Sequence, residues 1–138
     1  RIVSGHGGGY IIVWDIATNT TCHFRSHFRD SRVHKLELSP DGRWFLSASF
    51  VKSLIVSDPR TGICIHTLTG HRDYVHTAQW SPCGNLIASS SMDGSVRIWR
   101  ARDGACVGHH FFPEGSPSHL AFTGDGEALV LGRKNGTL

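Results

Sequence analysis

Apolar and polar positions along this chain fall into short runs of about five or six residues separated by turn formers, without the three-to-four spacing of an amphipathic helix. Residues 73–108 display one complete round. Val75 to Trp80 reads as a first strand, Ser81 to Asn85 as a turn holding Pro82 and Gly84, and Leu86 to Ser91 as a second strand. Met92-Asp93-Gly94 has the composition of a hairpin turn, because Asp and Gly accept the positive φ that tight β-connections need. Ser95 to Trp99 is then a third strand, Ala101-Arg102-Asp103-Gly104 a further turn, and Ala105-Cys106-Val107 the start of a fourth. The opening residues Arg1, Ile2, Val3 and Ser4 already read as a strand in progress. No run approaches the roughly 18 uninterrupted apolar residues of a membrane helix.

The round returns with a period of 42. Ser39-Pro40-Asp41-Gly42 is followed by Ser81-Pro82-Cys83-Gly84 and by Thr123-Gly124-Asp125-Gly126, and Val33-His34 returns as Val75-His76. Residues 31–64 laid over 73–106 agree at 11 of 34 positions, where average usage gives roughly two by chance. A fixed period of this length is the mark of a repeat architecture. Gly70-His71, Trp80-Ser81-Pro82-Cys83-Gly84 and Ser91-Met92-Asp93-Gly94-Ser95-Val96-Arg97-Ile98-Trp99 together resemble a WD repeat, and Trp14-Asp15 supplies the eponymous pair in an earlier repeat. The resemblance covers essentially the whole chain. It implies an all-β fold, a WD-repeat β-propeller with blades of four antiparallel strands.

By phase the chain divides into a partial blade 1–24, blades 25–68 and 69–111, and a partial blade 112–138. Arg1 has the phase of Leu86 and Leu138 that of Val96, so the ring is incomplete. Closure needs about four to eight blades. The expectation is an internal fragment whose first partner is the rest of its own parent chain, with self-association as the alternative.

Composition changes this picture little. Sixteen Gly and five Pro, spread along the chain, suit many short strands joined by turns. The net charge of +3 is too small, and its acids too interspersed, to make a phosphate track. Arg25, Arg29 and Arg32 cluster before the second blade, but Asp30 interrupts them and no stacking platform accompanies them, which argues against nucleic acid. Four cysteines and ten histidines invite a metal site. However, Cys22, Cys64 and Cys106 stand 42 residues apart, at one place in three successive blades and too far apart to share an ion or a disulfide. They are expected to serve packing, and Cys83 sits alone in a turn. Unpaired cysteines of this kind favour an intracellular location; the sequons at Asn19 and Asn135 are short enough to arise by chance. Gly7-Gly8-Gly9 leads from strand to strand, not into a helix, so it reads as a hairpin turn rather than a phosphate loop. No cofactor is implied.

The resemblance also implies roles for single residues. In this family a histidine, a Ser or Thr, an Asp and a Trp form a buried hydrogen-bonded set, here His71, Ser89, Asp93 and Trp99, with Ser91 on the same face as an alternative to Ser89. An imidazole donates to the carboxylate, the carboxylate accepts turn amides, and the indole N–H needs a buried acceptor. A Ser-His-Asp nucleophilic triad is the competing reading, but no nucleophile elbow accompanies it. The neighbouring blade keeps His27 and Ser47 but has Val51 and Ser57 at the Asp and Trp positions, and the first has Gly8 at the Asp position. Partners in this family commonly dock on the loops before the first strand and between the second and third. The corresponding residues are Arg32, His34 and Phe50, then Tyr74, His76 and Met92, and finally Ser116, Ser118 and Lys134.

The function expected is therefore a non-catalytic protein-protein interaction scaffold that holds other proteins or peptides. Trp99-Arg100-Ala101-Arg102 also resembles the box by which some WD-repeat proteins dock on a cullin-RING ubiquitin ligase, with Arg60 at the phase of Arg102. This makes a ligase substrate receptor one alternative and a nucleic-acid-associated propeller a second.

Overall fold

In the computed structural model, which describes residues 1–25 and 32–133, the chain forms thirteen strands in four antiparallel sheets. The first sheet holds β1 (Ile2–Gly5), β2 (Tyr10–Asp15) and β3 (Thr20–Arg25). The second holds β4 (Val33–Leu38), β5 (Phe45–Ser49), β6 (Ser53–Ser57) and β7 (Cys64–Thr69). The third holds β8 (Val75–Trp80), β9 (Leu86–Ser91), β10 (Ser95–Arg100) and β11 (Cys106–Phe111), and the last β12 (Pro117–Phe122) and β13 (Leu129–Arg133). Within each sheet the strands follow chain order, as expected when every connection is a tight turn. The Gly7–Gly9 run is one such connection. Gly8 and Gly9 adopt φ of 73° and 74°, and the single 3-10 turn they make sets Gly5 opposite Ile11.

The sheets pack face to face, and the apolar side chains between them are the core. Leu46, Leu54, Val56 and Leu68 of the second sheet meet Val75, Ala78, Trp80, Ile87 and Trp99 of the third. Ile11 and Val13 of the first meet Val33 and Phe45 of the second, and Phe24 stacks on Phe45 with ring centroids 5.5 Å apart. Each such side chain withdrawn from water contributes about 1.5–3 kcal/mol before the entropy of ordering is set against it. Every residue of β5 is buried, and the blade interiors are its central strands.

The outermost strand of each sheet is different, and it corrects one expectation. Cys22, Cys64 and Cys106 do share one place in three sheets, but all three are exposed on β3, β7 and β11, and Cys83 is exposed in its turn. They do not serve packing. The fourth strand has a neighbour on one side only, and while Leu68 of β7 and Phe24 of β3 reach the apolar layer, the cysteines of these strands face solvent.

Candidate functional site

The turn between β9 and β10 and the segment before β8 meet above the third sheet, and there the polar set is assembled. Trp99 Nε1–H donates to Ser89 Oγ at 2.8 Å, and Ser89 Oγ lies 2.8 Å from His71 Nε2. His71 Nδ1 lies 3.2 Å from Asp93 Oδ2 and 3.2 Å from Ser95 Oγ. Asp93 also accepts from the amide of Arg72 at 2.7 Å and from Ser95 N and Oγ at 2.8 and 2.6 Å. One direction of donation satisfies every member: indole to Ser89, Ser89 hydroxyl to Nε2, and Nδ1–H to the carboxylate. Burial holds the His71 imidazole below its ordinary value of 6.5 although the Asp93 charge pulls the other way, so the ring is neutral. Burial pushes the Asp93 carboxyl up, but the hydrogen bonds from Ser95 and the Arg72 amide outweigh it and leave it well below the carboxylate range.

Between the two candidate serines the geometry chooses Ser89. Ser91 Oγ instead donates to the Asp73 carbonyl at 3.0 Å and accepts the Asp93 amide at 3.2 Å, holding the turn. Ser95 was not anticipated, although an Asp two residues before a Ser, as in Asp93-Gly94-Ser95, is a usual sign of a local Asx turn. Ser89 is fully buried, and its hydroxyl is closed to any substrate carbonyl, which removes the ground for a nucleophilic reading. In the neighbouring blade Ser47 Oγ donates to the Ile55 carbonyl at 3.4 Å, while His27 lies outside the described residues. In the first blade Trp14 is 41% exposed and its indole reaches Asn19 Oδ1 at 3.3 Å, and Ser4 pairs with His6.

The second group of candidates lies along the loop edge of two blades. The first strands β4, β8 and β12 each carry a bulge, and the residue that the register skips is His34, His76 or Ser118. A bulge re-aims a side chain out of the pleat. The His34 ring lies 4.9 Å from that of Phe50, and Phe50 meets Tyr74 edge-on at 6.1 Å. The amide of Met92 donates to the Tyr74 carbonyl at 2.8 Å. Phe50, Tyr74 and Met92 are 54%, 45% and 50% exposed, so four of the candidates form a continuous, solvent-facing line across the blade boundary. Arg32 is exposed and His76 is partly buried. Ser116 is partly buried, and the Ser118 hydroxyl is engaged with His119 Nδ1 at 3.0 Å and the Gly132 carbonyl at 3.4 Å. Lys134 lies outside the described residues.

Of the remaining arginines singled out by sequence, Arg60 and Arg102 are exposed beside Asp58 and Asp103 of their own turns. Arg102 also lines an 780 Å³ cleft with Trp44, Cys83 and Leu86 on the opposite loop edge. Arg25 lies over the ring of Tyr10 at 4.6 Å, and Arg29 is outside the described residues. Among the described residues no helix is long and apolar enough to cross a membrane.

Residues 18–50 and 62–100, together more than half of the chain, match the family model for the WD domain, G-beta repeat. The chromatin assembly factor 1 subunit FAS2 homolog of Oryza sativa subsp. japonica is 36% identical over 106 residues, which span 72% of this chain and 21% of that protein. The guanine nucleotide-binding protein subunit beta of Nicotiana tabacum is 26% identical over 147 residues, covering 99% of this chain and 39% of that protein. Eukaryotic translation initiation factor 3 subunit I of Aspergillus fumigatus is 29% identical over 98 residues, covering 71% and 28%. The chain thus spans well under half the length of these relatives. WD-repeat proteins are generally non-catalytic and imply a protein-interaction scaffold. Repeated four-stranded blades, a fixed period and these matches together show that the chain belongs to the WD-repeat family, with no closed ring among the described residues.

Proposed function

We propose that this chain is a scaffold that holds a protein or peptide partner on the edge formed by Phe50, Tyr74 and Met92, with Arg32, His34 and His76 around them. The observation that supports it is the run of ring contacts from His34 through Phe50 to Tyr74, exposed to solvent and spanning two blades. Aromatic, Met and Arg side chains concentrated in one patch are what protein interfaces use. The segments 1–24, 25–68, 69–111 and 112–138 act as its blades. An intracellular setting belongs to the same reading, supported by relatives that include subunits of a chromatin assembly factor and a translation initiation factor. The ligase-receptor alternative has less behind it, because Arg60 and Arg102 each face an Asp of their own turn.

The test is affinity capture with the tagged full chain, compared with Phe50→Ala/Tyr74→Ala and with Ile63→Ala, an exposed apolar residue on a different turn. Expected is loss of the co-purifying proteins in the double variant only, with unchanged circular dichroism. Equal recovery from all three baits would sink the assignment of this surface.

A further inference from the structure

We propose that the outer part of the third blade carries a pocket for an oxyanion, the carboxylate or phosphoryl group of an acidic residue on a partner peptide. The pocket, about 280 Å³, is lined by Arg72, Asp93, Ser95, Arg97, His109 and Phe111. Register builds it. Arg97 of β10 stands directly opposite His109 of β11, and Ser95 opposite Phe111. Directly opposed residues of an antiparallel pair project to one face, so a guanidinium and an imidazole lie side by side with an aromatic wall next to them. Arg72 arrives from the segment before β8, anchored by its amide to Asp93 Oδ2 at 2.7 Å.

Charge says what the pocket takes. Arg1, Arg43, Arg60, Arg100, Arg102 and Arg133 each have a carboxylate within 4 Å. Among the described residues neither Arg72 nor Arg97 makes such a pair. The one carboxylate lining the pocket, Asp93, is already occupied by Ser95, the Arg72 amide and His71. Arg97 is nevertheless held in place. Its guanidinium lies over the Trp99 ring at 5.9 Å, and Nη1 reaches Cys106 Sγ at 3.7 Å. Gly70, at φ 148°, makes room for it, since a Cβ there would fall 2.9 Å from Nη1. The buried Nε of Arg97 has no acceptor. A guanidinium fixed in advance, with no carboxylate in ion-pair contact and sharing its pocket with Arg72, is the arrangement that recognises an oxyanion by charge-assisted hydrogen bonds. The volume is below the roughly 300–1,000 Å³ of small-molecule sites and suits one side-chain head group. The inference stands whether or not the aromatic edge binds a partner.

The experiment is an NMR titration of the ¹⁵N-labelled full chain with three otherwise identical short peptides carrying phosphoserine, glutamate or serine at the centre. Expected are shifts of the Arg72, Arg97 and His109 signals with an acidic peptide but not with the serine peptide, weakening as salt rises. Stronger binding of phosphoserine identifies a phosphoryl site, and parity with glutamate a carboxylate site. Arg97→Met and Arg72→Gln should each weaken binding about tenfold. Arg72 is exposed and tests the pocket even if Arg97→Met impairs folding. No shifts with either acidic peptide, shifts located elsewhere, or unchanged affinity in Arg72→Gln would overturn the proposal.

Discussion

His34 gives its Nε2–H to the backbone carbonyl of His76, its counterpart one period later, at 3.2 Å. A carbonyl only accepts, so this contact places the ring proton on Nε2. The two bulged residues of neighbouring blades are therefore tied together at the His34 end of the aromatic line. His34→Ala should cost about 1 kcal/mol in urea denaturation through the lost hydrogen bond, whereas Phe50→Ala, at a half-exposed ring, should stay within about 0.5 kcal/mol. The reverse order would mean that the edge is built for stability and not for contact.

Asp93 accepts from two amides, a hydroxyl and an imidazole, and Asp93→Ala leaves all of them to find other partners. Removing it is expected to destabilise the chain by about 1–3 kcal/mol. Chemical denaturation showing no loss would remove the structural role argued for the set.

Acid should weaken the fold in two steps. The folded His71 stays neutral where the unfolded chain takes up a proton, so its contribution is complete above about pH 6.5 and is lost as pH falls below it. Asp93, depressed in the folded state, adds a loss as pH falls below about 3.8. Urea midpoints at pH 7.5 and 5.5 should fall for the natural chain and fall less for His71→Gln; equal slopes would show that His71 does not carry the first step.

All four cysteines are free and exposed, so each should react with a maleimide without denaturant. Cys83 should react first, because the Ser81 hydroxyl at 3.4 Å holds its thiol below the ordinary value. Mass spectrometry of a partially labelled sample checks both statements. Protection of Cys22, Cys64 and Cys106 until unfolding would restore the packing role rejected above.

Much of this architecture was legible because its causes are local. Ser81-Pro82-Cys83-Gly84 and Met92-Asp93-Gly94 mark their turns by side-chain chemistry, and strands of about six residues between them leave one way to pair. Resemblance to the WD-repeat family, carried along the chain by the phase of 42, then pointed to His71, Ser89, Asp93 and Trp99 and to the rim candidates. It misled on the cysteines, because phase says that positions are equivalent and not how far each lies from the packed layer. It also made Trp14 look like Trp99, although one ring is 41% exposed and the other 1%. The difference lies in the partner sets around them, which repetition does not preserve.

By itself the sequence determined the strands, the turns, the blade repeat and the family, since hydrophobic runs and turn residues act over a few positions. Only the tertiary structure decided that Ser89 and not Ser91 receives the indole proton, that Ser95 joins the set, and that His34, Phe50 and Tyr74 form one line. It alone showed that Arg72 and Arg97 share a pocket whose one carboxylate, Asp93, forms an ion pair with neither. Each of these depends on distances between strands or blades, and those follow from how the sheets pack.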